Sequence, residues 1–230
     1  MRSCAIMPAM VKKLKEKFNS VIFDMDGVIT NTMPYHFDAW LAVFNSAGIK
    51  VDCLEIYKRE GQDGLTTVRE IFSQNKRKIS LKEAKAFLSS KEQLFKKIVK
   101  IKFVKGSRPF IRSLKSHKFK LGLVTGTSRH EVEKILPSGL LKLFDVIVTG
   151  DEVKNGKPYP EPFLKALKKL KIAQKDALVI ENAPFGIQSA KKAGLFCAAL
   201  ETSLPRKYLS GADLIFKSFA ELKINFSSFL

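Results

Sequence analysis

Cysteine is scarce in this chain of 230 residues. Cys4, Cys53 and Cys197 lie far apart, are odd in number and form no C-x-x-C pair, which argues against a disulfide framework or a zinc site and suits a reducing cytoplasm. Long apolar runs are missing too, since none approaches the ~20 residues that a membrane-crossing helix needs. No internal repeat is present, and no low-complexity tract beyond a lysine bias. Acid is the other deficit: 22 acidic residues stand against 41 basic ones, a formal charge of +19. That balance raises the question of a nucleic-acid partner. The lysines are spread over Lys12–Lys17, Lys76–Lys78, Lys96–Lys102 and Lys165–Lys171, mostly where helical patterns put solvent faces. A solvated surface that attracts small anions is therefore preferred to a nucleic-acid surface. Residues 1–17 read as a basic, poorly ordered leader, with a signal peptide as the second reading, because lysines begin at once and no small-residue cleavage site follows.

What is present is a regular alternation of short apolar runs with amphipathic stretches. Val21–Phe23, Leu121–Val124, Val146–Val148, Ala177–Ile180, Phe196–Leu200 and Leu214–Phe216 read as buried strands. With helical patterns between the later ones, they predict an α/β fold, a Rossmann-like, doubly wound parallel sheet. Ser128-Arg129-His130-Glu131 has capping-box spacing, Pro109 and Pro162 sit near expected helix starts, and Gly194 follows the helix expected from Pro184. Residues 31–105 break the alternation. Phe37, Trp40, Leu41 and Phe44 follow a helical period, as does Leu81–Val99, so a helical cap domain is expected over 31–105, inserted into a discontinuous core of 18–30 and 106–230.

The strongest chemical signal is Val21-Ile22-Phe23-Asp24-Met25-Asp26-Gly27-Val28. An apolar strand running into two carboxylates puts Asp24 and Asp26 on one side of the chain, at the carboxyl end where parallel-sheet ligands bind. Two such carboxylates repel unless a cation or a shared proton relieves them, so the pair implies a bound metal or a divided nucleophile and acid role. A calcium loop counted from Asp24 fails, because Val28, Ile29 and Tyr35 stand where an acid, a glycine and a glutamate are required. A P-loop over Gly150–Lys157 fails on its glycine spacing and on Pro158. In isolation Thr125 reads as a turn cap, Lys157 as one more solvated lysine, and His36 as a half-buried helix histidine.

Phe23-Asp24-Met25-Asp26-Gly27-Val28-Ile29-Thr30-Asn31-Thr32 resembles the first signature of the haloacid dehalogenase superfamily, and Tyr35-His36-Phe37-Asp38-Ala39-Trp40 is similar to its beta-phosphoglucomutase-like branch. Thr125, Lys157 before Pro158, and Glu181-Asn182 match the later motifs in order, and the resemblance covers nearly everything from Ser20 to Leu200. It implies an enzyme that uses Mg2+ and a small phosphorylated metabolite. Asp24 would be the nucleophile and Asp26 the acid and base, while Thr125, Gly126 and Lys157 bind phosphate. Thr32 and His36 lie between core and cap, and the cap loop is Glu60-Gly61-Gln62-Asp63-Gly64. The implied metal ligands are Asp24, the Asp26 carbonyl, Glu181 and Asn182, directly or through water.

The sequence departs from the pattern twice. Asn182 replaces the more usual second acid and removes a negative charge. The cap loop carries no arginine where the mutases of this branch hold a second phosphate, although Arg59 and Arg69 are near. The expected activity is therefore a cytoplasmic phosphatase of a sugar- or polyol-phosphate, with beta-phosphoglucomutase activity as the alternative. A basic nucleic-acid-binding protein with a degenerate core is more remote, because Asp24, Asp26, Thr125 and Lys157 are intact. Oligomeric state is not legible.

Overall fold

Short runs of β-branched and aromatic residues alternate their side chains between two faces, and here both faces are covered. The computed structural model describes residues 18–226, with side chains through 224; the expected leader over 1–17 lies outside them. Strands β1 (Ser20–Phe23), β2 (Lys120–Val124), β3 (Val146–Val148), β4 (Ala177–Glu181), β5 (Phe196–Leu200) and β6 (Leu214–Phe216) form one sheet in the order β3-β2-β1-β4-β5-β6. Every pairing is parallel, and Phe23 stands opposite Leu123 on one side and Ile180 on the other. The α/β architecture is the one the alternation predicts. β1 is central, and the chain winds outward from it first to β2 and β3, then to β4, β5 and β6. The switch point beside β1 opens a crevice at the carboxyl ends of β1, β2 and β4.

Of the five helices between β1 and β2, the first four form the insertion: α1 (Met33–Ser46), α2 (Cys53–Lys58), α3 (Gly64–Gln74) and α4 (Leu81–Ile98). They bury their own apolar cluster, with Trp40, Phe44, Ile56, Val68, Ile71 and Phe72 at its centre. Trp40 stacks on Phe44 at 5.3 Å, as the Phe37, Trp40, Leu41, Phe44 spacing on α1 requires. Full burial of a side chain such as Phe44 contributes about 1.5–3 kcal/mol. The two chain crossings into this unit run side by side, Asn31 N–H donating to the Lys102 carbonyl (2.8 Å) and Val104 N–H to that of Ile29 (3.0 Å). A true capping box starts α4, between Ser80 and Glu83.

The remaining helices are α5 (Ser107–Ser116), α6 (Arg129–Ile135), α7 (Ser138–Leu141), α8 (Glu161–Leu170), α9 (Pro184–Lys192) and α10 (Phe219–Phe226). Val21 and Phe23 face α5, α6 and α10 through Phe110, Ile111, Val132 and Phe219. Ile22 and Val179 face α8 and α9 through Phe163, Ala166 and Ile187. The capping box expected at Ser128 is not formed. Ser128 makes no side-chain cap, because Glu131 turns to Lys96 of α4 (3.2 Å) and Asp151 accepts the Arg129 N–H instead. Among the described residues no helix is long and apolar enough to cross a membrane.

Candidate active site

β1 leaves the sheet at Asp24, whose N–H still donates to the Ile180 carbonyl at 3.0 Å. The chain then doubles back, with the Gly27 N–H on the Thr30 carbonyl at 2.6 Å and the Ile29 and Thr30 N–H groups on that of Met25. Gly27 takes φ +86°, and a Cβ there would collide with the Asn182 amide. Only glycine allows this turn to pass so close to the end of β4.

The turn presents the two aspartates to different partners. Lys157 Nζ lies 2.6 Å from Asp24 Oδ1 and 2.6 Å from Glu181 Oε1, and all three side chains are buried. One ammonium thus faces two carboxylates. Burial, joined by the Glu181 and Asp26 charges, pushes the Asp24 carboxyl up to about 8 against the pull of Lys157. Lys157 itself, despite burial, is held above the ordinary lysine range by Asp24 and Glu181. The second Glu181 oxygen accepts the Asn182 backbone N–H (3.0 Å), and the Asn182 amide donates to Ser203 Oγ (2.9 Å) and to Glu60 Oε2 (2.8 Å).

Asp26 is held by hydroxyls and a histidine. Its Oδ1 accepts from Thr32 Oγ1 and lies 3.4 Å from His36 Nε2, while Oδ2 accepts from Thr127 Oγ1 at 3.1 Å. Burial opposes ionisation, but the electrostatic attraction of His36 and the hydrogen bonds from His36, Thr32 and Thr127 outweigh it and bring the Asp26 carboxyl below its ordinary value. His36 stacks on Phe95 at 4.0 Å, and its Nδ1 lies 3.0 Å from Lys91 Nζ. Burial and the Lys91 charge lower its pKa.

A cavity of about 280 Å³ opens over the two aspartates, lined by Asp24, Asp26, Thr125 and Gly126 from the sheet and by His36, Trp40, Gly61 and Gln62 from the helical insertion. The cap loop presses on the core: a Cβ at Gly126 would stand 3.0 Å from the Gly61 carbonyl oxygen, and the backbones of Gln62 and Lys157 form a bridge. Thr125 serves as a turn cap as well, its Oγ1 accepting the Thr127 N–H at 3.1 Å. Arg59 lines the cavity but is engaged by Glu70 and by Gln62 (3.2 Å), and Arg69 is exposed and does not line it. The catalytic, phosphate-binding, cap-loop and metal-ligand candidates named from the sequence therefore gather at one crevice, and Arg69 stands outside it.

Haloacid dehalogenase-like hydrolases match residues 21–200 of the chain. The chain belongs to this family. Within it, the "Phosphorylated carbohydrates phosphatase" of Thermotoga maritima is 35% identical over 184 residues, spanning 76% of this chain and 82% of the relative. The "Beta-phosphoglucomutase" of Bacillus subtilis is 29% identical over 212 residues, 89% of this chain and 92% of that protein. The solved beta-phosphoglucomutase of Clostridium difficile superposes with a TM-score of 0.80 at 26% identity, covering 92% of this chain and 96% of that one. This hydrolase is thus an enzyme of the beta-phosphoglucomutase-like branch.

Magnesium can be tested against the donors present. Asp24 Oδ2, Asn182 Oδ1 and Glu60 Oε1 are buried and have no hydrogen-bond partner, a costly state for acceptors. Hard oxygen donors of this kind suit Mg2+, which takes few protein ligands and keeps several waters. No three His, Cys, Asp or Glu side chains among the described residues close into a cage, so the fit is to an ion that also uses an amide oxygen, a backbone carbonyl and water. Both Glu181 oxygens are engaged, so this residue would take part only through a water.

Two residues of the hydrolase's site, Thr127 and Lys91, had not been singled out by sequence, and a third, Glu60, had been named only as part of the cap loop, with no role. Thr127 reaches Asp26 across 101 residues, Lys91 reaches His36 across 55, and Glu60 reaches Asn182 across 122. Thr127 follows Thr125 by two positions, a signal that was available. Lys91 and Glu60 carry no local mark.

Proposed function

We propose that this hydrolase is a Mg2+-dependent phosphatase of a small sugar or polyol monophosphate, working in the cytoplasm through an aspartyl-phosphate on Asp24. The observation that supports it most is the pairing of Asp24 with Lys157 and of Asp26 with a histidine and two hydroxyls, at one cavity of metabolite size. The substrate class follows relatives that are named for phosphorylated carbohydrates and for phosphoglucose.

Phosphate oxygens would be held by the Thr125 hydroxyl, the Gly126 N–H and Lys157. A phosphate dianion near Asp26 raises its pKa by like-charge repulsion, which supplies the protonated acid. A carboxylate oxygen of Asp24 forms the bond to phosphorus as the bond to the sugar oxygen breaks, and that oxygen takes the Asp26 proton. Asp26, now ionised, accepts a proton from water. The water oxygen attacks phosphorus, the Asp24–phosphorus bond breaks, and inorganic phosphate leaves. Magnesium held by Asp24, the Asp26 carbonyl and Asn182, with Glu181 acting through water, would neutralise charge on the phosphoryl oxygens. Residues 31–105 act as a cap that closes through Gly61 and Gln62, with Thr32 at the hinge, and excludes bulk water.

A mutase must also hold a bisphosphate by its far end, which needs a free cation in the cap. Arg59 is already taken by Glu70 and Gln62, which favours the phosphatase. The similarity to beta-phosphoglucomutases keeps isomerisation as the second reading. Purified protein with Mg2+ and a panel of phosphorylated metabolites separates them, when phosphate release and isomer formation are followed together. Phosphate release from a monophosphate without activator is expected. Isomerisation that depends on a bisphosphate and outruns hydrolysis overturns the phosphatase reading.

A further inference from the structure

Glu60 has a position that the proposed chemistry does not use. It sits in the loop between α2 and α3 and is only 8% exposed. Its Oε2 accepts from the Asn182 amide at 2.8 Å, and its Oε1 is buried with no partner. The Asn182 amide spends its two hydrogens on Glu60 and Ser203. Its oxygen is therefore turned away from both and is itself unpartnered. A hydrogen-bonded chain runs from Asp24 through Lys157, Glu181 and Asn182 to Glu60. Along it three carboxylates are matched by a single ammonium. Burying this excess of negative charge under a closed loop is unfavourable unless a cation joins it.

We propose that Glu60 is a cap-borne member of the divalent-cation site, binding the ion directly or through one of its waters, so that the cation holds the cap shut. This rests on the reading of Asp24 and Asn182 as cation ligands. Glu60 adds a carboxylate at the place where residue 182 is an amide, and it adds it from the helical-insertion side of the site. Its neighbours in the loop make the closing contacts: the Gly61 carbonyl lies against Gly126, and the Gln62 backbone bridges to Lys157. With the loop in this position Glu60 reaches Asn182, and on this proposal opening the loop would break that contact. Cation binding and closure are then linked, and by reciprocity each strengthens the other.

The test uses the full chain without substrate and Mn2+ as the probe. Binding is read by titration calorimetry and by the paramagnetic resonance signal of free Mn2+, and closure by the radius of gyration from X-ray scattering. Glu60→Gln is expected to weaken Mn2+ binding on the order of 10- to 100-fold, as loss of a supporting partner does, and to abolish the compaction that Mn2+ causes in the wild type. Asn182→Asp placed in the Glu60→Gln background is expected to restore affinity from the core side without restoring compaction. Glu60→Ala, checked for folding by circular dichroism, serves the same purpose if the glutamine variant is unstable. If Asp24→Asn weakens Mn2+ binding while both Glu60 variants bind within twofold of wild type and still compact, the proposal is overturned and the core site stands. If the wild type binds no Mn2+, or Asp24→Asn binds it equally well, the underlying site reading fails and the proposal with it.

Discussion

Lys91 Nζ lies 3.0 Å from His36 Nδ1, so a buried lysine of the helical insertion decides which ring nitrogen faces Asp26. An ammonium can only donate. Nδ1 must accept, and the hydrogen of the neutral ring is left on Nε2, 3.4 Å from the Asp26 carboxylate. Asp26 is thereby faced by a ring N–H of the helical insertion, which favours its ionised form.

Lys91→Met removes that donor and a positive charge while keeping much of the apolar stem against Trp40 and Phe95. The His36 pKa should rise, because Lys91 is one of the causes that lowers it. With only three histidines in the chain, an NMR titration of the ring protons can follow it. Turnover should fall by roughly 10-fold, a positioning loss smaller than the ~10²–10⁴ of a general acid or base. An unmoved His36 titration would remove Lys91 from this role.

Asp24→Asn should abolish turnover with the fold intact, because an amide cannot form the acyl-phosphate. It also has a stability signature in chelator. Burial raises the Asp24 carboxyl from 3.8 to about 8, so between those values the folded protein binds more protons than the unfolded one. Stability from this group therefore falls as pH rises through that window. Asp24→Asn should flatten the decline. Urea unfolding of both proteins at pH 5 and pH 8 checks it, and an unchanged slope would contradict the assignment.

Asp26→Ala should cost on the order of 10² to 10⁴ in rate, and less for substrates whose leaving group needs no proton. Single-turnover phosphorylation with an aryl and an alkyl phosphate measures the difference. Equal losses for the two would show that Asp26 is not the acid.

Glu152 ties α6 to α8 through Arg129 and Lys169. These partners, by hydrogen bond and charge, overcome the opposing effect of burial and hold its carboxyl down to about 2, against an ordinary 4.5. Its contribution is full above pH 4.5 and is lost as pH falls toward 2. The pairs are partly exposed, so Glu152→Gln should lower the melting temperature at pH 7 by only about 1–3 °C. The gap to wild type should narrow in acid. Scanning calorimetry at pH 7 and pH 3 reads both effects.

Much of this protein is local and could be read along the chain. Val21, Ile22 and Phe23 announce a strand covered on two faces because side chains alternate with a period of two. Asp24 could be picked out because an apolar strand runs straight into it, whereas Thr125 and Lys157, which in isolation read as a turn cap and a solvated lysine, were marked only by the family resemblance. The helical insertion was legible in the spacing of Phe37, Trp40, Leu41 and Phe44. The reading failed at Ser128, where the capping spacing is present but Glu131 finds Lys96 of another helix. It gave Glu60 no role beyond membership of the cap loop and was silent on Lys91, and their partners lie 122 and 55 residues away. Spacing rules describe what a residue can do with its neighbours over a few turns. Which carboxylate of a lysine-rich chain is driven into the crevice beside Asn182 is decided only when the cap loop packs against Gly126 and Lys157, and that approach is set by the tertiary burial of two separate cores.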